Sequence, residues 1–132
     1  MSSTLTVTNL TATNLTDGAG TTSTFANVNS GTAKAWMTMT GDGSAIDDSF
    51  NTSSLTDTAT GQFTQNYTNS FNNVHYSWCG QQESTFSVTG AIIAHNHSTK
   101  TVSGTELYTY VAGSGGNIDT EENCTQVQGD LA

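Results

Sequence analysis

Proline is absent from this chain of 132 residues, only two residues are basic and only two are cysteine. Each shortage removes something. Without proline, a loose connector must owe its freedom to glycine and small polar residues. Lys34 and Lys100 stand against eleven acids, for a formal charge of −9. Nucleic-acid binding, which draws on counterion release by Lys and Arg, has almost no source here. Docking to anionic lipid is not expected, for the same reason. Cys79 and Cys124 are too few for a disulfide framework, and free thiols are expected of a cytoplasmic product. No apolar run approaches the roughly 20 residues of a membrane-spanning helix, so no membrane insertion is expected. The opening MSSTLTVTNL has neither the basic nor the apolar region of a secretory signal. A soluble product made in the cytoplasm is therefore expected.

Apolar residues make up 33% of the chain, yet charged residues only 10%. Disordered chains are usually poor in the first and rich in the second. Here the gap is filled by neutral Thr, Ser, Asn and Gly, of which Thr suits a solvated strand face. An all-β fold with polar surfaces follows. So thin an apolar supply also suggests that part of the buried surface is shared between subunits.

Three regions are expected. Residues 1–29 form an extended arm and linker, 30–113 a compact β-domain, and 114–132 a short acidic polar tail. In the arm, Leu5, Leu10 and Leu15 recur every five residues, a spacing that suits neither a helix nor one face of a strand. They are the candidate contacts to a neighbouring chain. Strands are drafted at 32–40, 45–50, 54–58, 61–68, 74–80, 84–96 and 105–112, with Gly41-Asp42-Gly43 as a hairpin turn. Seven short strands at this spacing give an antiparallel β-sandwich.

The run from Thr32 to Phe71 carries a further signal. Ala33-Lys34-Ala35-Trp36 leads into a Gly-rich turn, then Asp48-Ser49-Phe50-Asn51, Ser53-Ser54-Leu55-Thr56-Asp57 and Gly61-Gln62-Phe63-Thr64-Gln65-Asn66-Tyr67-Thr68. This order resembles a recurring β-domain module of tailed-phage virion proteins, chiefly tail fibres of marine and cyanobacterial phages. The resemblance implies a non-enzymatic virion structural protein of the tail-fibre type, homotrimeric, joined to other tail or capsid proteins by its arm. It also implies an outward β-domain that binds a host surface glycan or protein. A capsid-decorating protein that clamps capsid subunits through the arm is the alternative. A small polysaccharide-acting enzyme is the third reading.

Candidate chemistry is sparse. His95 and His97 could project from one strand face as two metal ligands, and three chains on a threefold axis would supply six. Two exposed histidines at a strand end are the plainer reading, and no cofactor is expected. Asp42, Asp47, Asp48 and Asp57 do not follow a calcium-loop order. Phosphate loops, nucleophile elbows and zinc-protease helices are all missing. Asp57, Glu83 and Glu106 offer only the carboxylates that any β-protein has. Tyr76, Trp78, Tyr108 and Tyr110, paired by strand alternation, are the candidate receptor-binding rings.

Overall fold

The computed structural model describes residues 14–16, 20, 22–24, 28, 29, 31–83 and 91–132. The chain divides into two compact units, Met1–Thr32 and Ala33–Ala132. In the first, strands β1 (Asn14–Thr16) and β2 (Thr22–Thr24) pair antiparallel, with Leu15 opposite Ser23. Leu5 and Leu10 lie outside the described residues.

The second unit is an antiparallel β-sandwich. Its strands are β3 (Ala35–Thr40), β4 (Ile46–Phe50), β5 (Thr52–Ala59), β6 (Gln62–Tyr67), β7 (Ser77–Glu83), β8 (Ala91–His95), β9 (Gly104–Val111) and β10 (Glu122–Gln128). Sheet I has the order β4-β3-β10-β7, and sheet II the order β5-β6-β9-β8. No helix among the described residues is long and apolar enough to cross a membrane.

Alternation explains why these segments are strands. Ala35, Met37 and Met39 of β3 are buried, as are Phe63, Gln65 and Tyr67 of β6 and Thr105, Leu107 and Thr109 of β9. The residues between them face outward, as the pleat requires. The apolar core forms two clusters. One holds Ala35, Tyr67, Phe71, Tyr76 and Val127, and the other Met37, Met39, Phe63 and Leu107. Trp78 packs against both.

Polar side chains fill slots inside the sandwich. Gln65 is fully buried, and its Nε2 donates to Thr52 Oγ1 at 2.9 Å while its Oε1 accepts from Thr125 Oγ1 at 3.1 Å. Thr52 Oγ1 in turn donates to the Trp36 carbonyl at 3.3 Å. This chain of bonds ties the two sheets together and satisfies groups whose burial would otherwise be unfavourable.

Residues 114–132 are not a tail. Their segment 122–128 is β10, an inner strand of sheet I, paired with β3 on one side and β7 on the other. The run leading into it passes so close to Gly41 that a Cβ there would lie 1.7 Å from the Thr120 carbonyl oxygen. Only glycine fits at that crossing. The Gly41 amide donates to Glu121 O at 2.9 Å, and the Thr120 amide to Gly41 O at 3.2 Å.

Between β4 and β5 the chain leaves sheet I for sheet II at Asn51, whose φ of 54° is left-handed. Its Nδ2 donates to Lys34 O (2.9 Å) and Asn69 O (3.1 Å), and its Oδ1 accepts from the Asn69 amide at 2.7 Å. Asn tolerates this backbone region better than most residues. The Asp-Ser-Phe-Asn step of the sequence is thus a corner, held by its last side chain.

Candidate functional site

The sandwich presents two outer faces with different chemistry. On sheet II, β9 turns Glu106, Tyr108 and Tyr110 outward, each partly exposed, between the buried Thr105, Leu107 and Thr109. Neighbouring strands add Gln62 and Ala94 beside Tyr108, and Thr64 beside Glu106. The turn after β9 returns Asn117 to bridge with Tyr110. Its reversal uses Gly115 at φ 69°, with the Val111 amide donating to Gly116 O at 3.0 Å.

Ala94, Asn96, Tyr108, Tyr110, Gly115 and Asn117 line a shallow depression of about 430 Å³. A second, of about 370 Å³, continues along the same strand over Glu106 and Gly104, bordered by Thr64, Asn66, Thr99 and Thr101. Strand geometry sets the two rings roughly 7 Å apart and the line from residue 104 to 110 at roughly 20 Å. Asn96 Nδ2 donates to Glu106 Oε2 at 3.1 Å, which fixes both side chains at the depression's rim. Ring faces, amides and a carboxylate on a shallow elongated surface suit a ligand with apolar C–H faces and many hydroxyls. An anion would find little here. Lys100 bonds the Tyr76 carbonyl and holds its ammonium 4.0 Å from the Tyr76 ring centroid. Its burial favours the neutral amine and lowers its pKa.

The other two rings expected at a receptor surface are elsewhere. Tyr76 is buried, with its hydroxyl donating to Thr101 O at 2.9 Å and Gly104 O at 3.2 Å. It sits edge-on to Tyr67, centroids 5.7 Å apart, and tilted against Phe71 at 4.5 Å. Trp78 is half-buried on the inner side, its indole lying over Gly80, where a Cβ would come within 2.4 Å of the ring. The alternation of Tyr76 with Trp78 is real, but the face they share is the interior. Desolvation raises the pKa of Tyr76, although Val74, two residues earlier, is exposed.

His95 ends β8 and lies tilted against Trp78 with centroids 5.4 Å apart, whereas His97 opens a single 3-10 turn, His97–Thr99, and is exposed. The two imidazoles do not extend one strand face, because Asn96 leaves the strand to cap that turn, accepting from the Ser98 amide at 3.1 Å. Burial above all, then Lys100 and His97, lower the His95 pKa. Among the described residues no three His, Cys, Asp or Glu side chains gather as metal ligands. Asp42 caps its own turn, accepting from the Ser44 amide (3.0 Å) and hydroxyl (2.7 Å), bonds that hold its carboxyl below the usual range. Glu83 points outward from sheet I and Glu106 from sheet II, with Asp57 on edge strand β5, so these three carboxylates do not converge.

On sheet I the outer face is built differently. Trp36 pairs across the strands with Phe50, Thr38 with Asp48 and with Cys124, and Gln126 with both Trp36 and Cys79. A trough of about 630 Å³ lies over this face, bordered by Trp36, Thr38, Cys79, Gln81, Cys124 and Gln126. Both cysteines are free thiols, Cys79 exposed and Cys124 partly so. The register sets Cys124 opposite Gln81, so Cys79 is its diagonal neighbour. Diagonal pairs are wider than a disulfide spans.

Sequence reasoning missed Asn96 and Asn117 at the sheet II depression. Only the Tyr110–Asn117 bridge, a product of the Gly-rich turn, brings the second of them there. The geometry defines the class, an antiparallel β-sandwich with an aromatic and amide-lined outer face. No family model, curated protein or solved structure matches the chain.

Proposed function

We propose that this chain is a non-enzymatic structural protein of a tailed-phage virion, of the tail-fibre type. Its sandwich binds a host surface glycan along the outer face of sheet II. The observation that carries the binding role is the line of Glu106, Tyr108 and Tyr110 on β9, flanked by Asn96 and Asn117 over two adjoining depressions. Rings stacked on sugar faces and amides bonded to hydroxyls need no basic residue, which fits a chain with two. The charge of −9 turns the ligand class toward neutral glycans. The virion setting is supported by the sequence resemblance over residues 32–71, whose Asn51 holds a corner of the sandwich. In this reading residues 1–29 join identical copies to the particle, and the sandwich faces outward.

Purified protein should block phage adsorption and bind host surface polysaccharide. A chain carrying Tyr108→Ala and Tyr110→Ala together should keep its fold and lose about tenfold or more in affinity, the equivalent of at least ~1.4 kcal/mol. Unchanged adsorption blocking by that variant would remove the glycan role. Antibody labelling spread evenly over the head, rather than at the tail, would favour the capsid-decorating role instead.

A further inference from the structure

Around the depression over Glu106, most side-chain hydrogen-bond donors are already committed within the protein. Thr99 Oγ1 donates to Asn96 O at 3.2 Å, and Thr101 Oγ1 to Gly104 O at 3.1 Å. Asn66 Nδ2 donates to Ser54 Oγ at 3.1 Å and to Thr56 Oγ1 at 3.4 Å. Asn96 Nδ2 donates to Glu106 Oε2, and the amide is fixed in this sense because its Oδ1 accepts from both the amide and the hydroxyl of Ser98. Acceptors are what remain: the Asn66 side-chain carbonyl, the two threonine oxygens and Glu106 Oε1, which accepts no bond from the described residues. Thr64, also at the border, keeps a hydroxyl that can turn either way. We infer that Glu106 is the specificity-determining residue of this face, taking hydrogen bonds from sugar hydroxyls and turning away glycans that bear carboxylate or sulfate groups. The inference rests on the glycan reading and names the residue that selects among glycans.

Position and charge both support this. Glu106 borders one depression, and its partner Asn96 lines the other with Tyr108 and Tyr110. Their bond therefore stands where the two adjoin, and a ligand filling both must pass over the carboxylate. Stacking on the two rings tolerates any sugar with an apolar face, so selection falls to the polar groups. A carboxylate only accepts, so it matches a hydroxyl donor and leaves an acceptor-only acidic group without a partner. Bringing like charges together adds to that mismatch. The two basic residues of the chain do not offset it. Lys34 is buried. Lys100 lies between two of the bordering threonines, yet its ammonium is turned onto the Tyr76 carbonyl and ring.

The full chain is titrated with polysaccharide extracted from host cells, native and after oxidation of its primary hydroxyls to carboxylates. Titration at about pH 8 keeps ordinary imidazoles uncharged. The wild type should prefer the native form by about tenfold or more. Glu106→Gln, at a partly exposed site, should keep its circular dichroism spectrum and narrow that preference by about tenfold. Glu83→Gln makes the same change in net charge on the outer face of sheet I, and should leave the preference as it is. A wild type that binds both forms equally overturns the inference. So does a Glu106→Gln chain with the wild-type preference, or an equal narrowing by the two variants. Each of these results leaves the glycan reading and its Tyr108/Tyr110 test standing. A wild type that binds neither form ends that reading, and the inference with it.

Discussion

The inner seam of the sandwich and its outer faces reverse the usual distribution of residue types. Inside, Gln65, Thr105, Thr109, Asn123 and Thr125 occupy buried slots beside Phe63 and Leu107. Outside stand Trp36, Phe50, Tyr108 and Tyr110, each partly or largely exposed. Most of these buried polar groups find a hydrogen-bond partner, the Thr105 hydroxyl being the one without. Gln65 meets Thr52 and Thr125, and Asn123 accepts from Thr120 Oγ1 at 3.0 Å and donates to Gly41 O at 3.4 Å. The outer rings have no such internal reason for their place, and the proposed function draws on Tyr108 and Tyr110.

The sharpest way to break this comparison is to remove the strand that supplies much of the polar seam. A chain ended after Thr120 lacks β10, and with it Asn123, Thr125 and the buried Val127. Strands β3 and β7 would then each lose their pairing to it. That truncation should abolish the folded second unit, seen as collapse of amide chemical-shift dispersion. Removing residues 1–29 should leave Ala33–Ala132 folded, since that stretch is a compact unit. A dispersed spectrum from the chain ended after Thr120 would mean that β10 is dispensable.

The same strand marks where the sequence stops being legible. β3 and β6 could be drafted because Met37, Met39, Phe63 and Tyr67 set a period of two that apolar residues make visible. Along β10 the inward positions are Asn123, Thr125 and Val127, and one apolar residue sets no period. Three nearby acids, Asp119, Glu121 and Glu122, made the segment look like a solvated tail. Its partners lie 60 and 82 residues away at Gln65 and Gly41, so no local pattern announces its burial. The drafted strand over 74–80 begins instead at Ser77, because the loop before it is anchored by Tyr76 inserting between the sheets. At the candidate site the rings Tyr108 and Tyr110 were visible by alternation. Which face of the sheet they occupied was not, since Tyr76 and Trp78 alternate in the same way and turn inward.

A smaller perturbation tests the corner that carries the chain from one sheet to the other. Asn51→Ala deletes the bonds to Lys34 O, Asn69 O and the Asn69 amide, and leaves an alanine at φ 54°. The loss should be about 2–3 kcal/mol in urea unfolding. Asn51→Gly deletes the same bonds but accepts the left-handed backbone, so it should recover about 1 kcal/mol of that. Equal losses would show that hydrogen bonding alone, and no backbone constraint, holds Asn51 in place.

The finest distinction lies within the aromatic cluster, between two phenols of the same seam. Tyr76 donates its hydroxyl to backbone carbonyls, whereas the buried Tyr67 hydroxyl has no hydrogen-bond partner. Tyr76→Phe should therefore cost about 1 kcal/mol, and Tyr67→Phe should be neutral or slightly stabilising. Burial pushes both pKa values up, that of Tyr67 far above the ordinary tyrosine range, with the neighbouring Tyr76 adding to it. The sign follows from linkage. Below the ordinary value near 10 both states keep their phenolic protons, and the stabilisation is fully present. As pH rises past it, the unfolded chain releases protons that the fold retains, so stability falls. Urea midpoints followed from about pH 9 to 11 should decline for the wild type. They should decline less steeply for Tyr67→Phe, which removes the more strongly shifted of the two groups. An identical decline in that variant would mean that the Tyr67 phenol is not held protonated by the fold, and that the unpartnered slot in the seam is open to water.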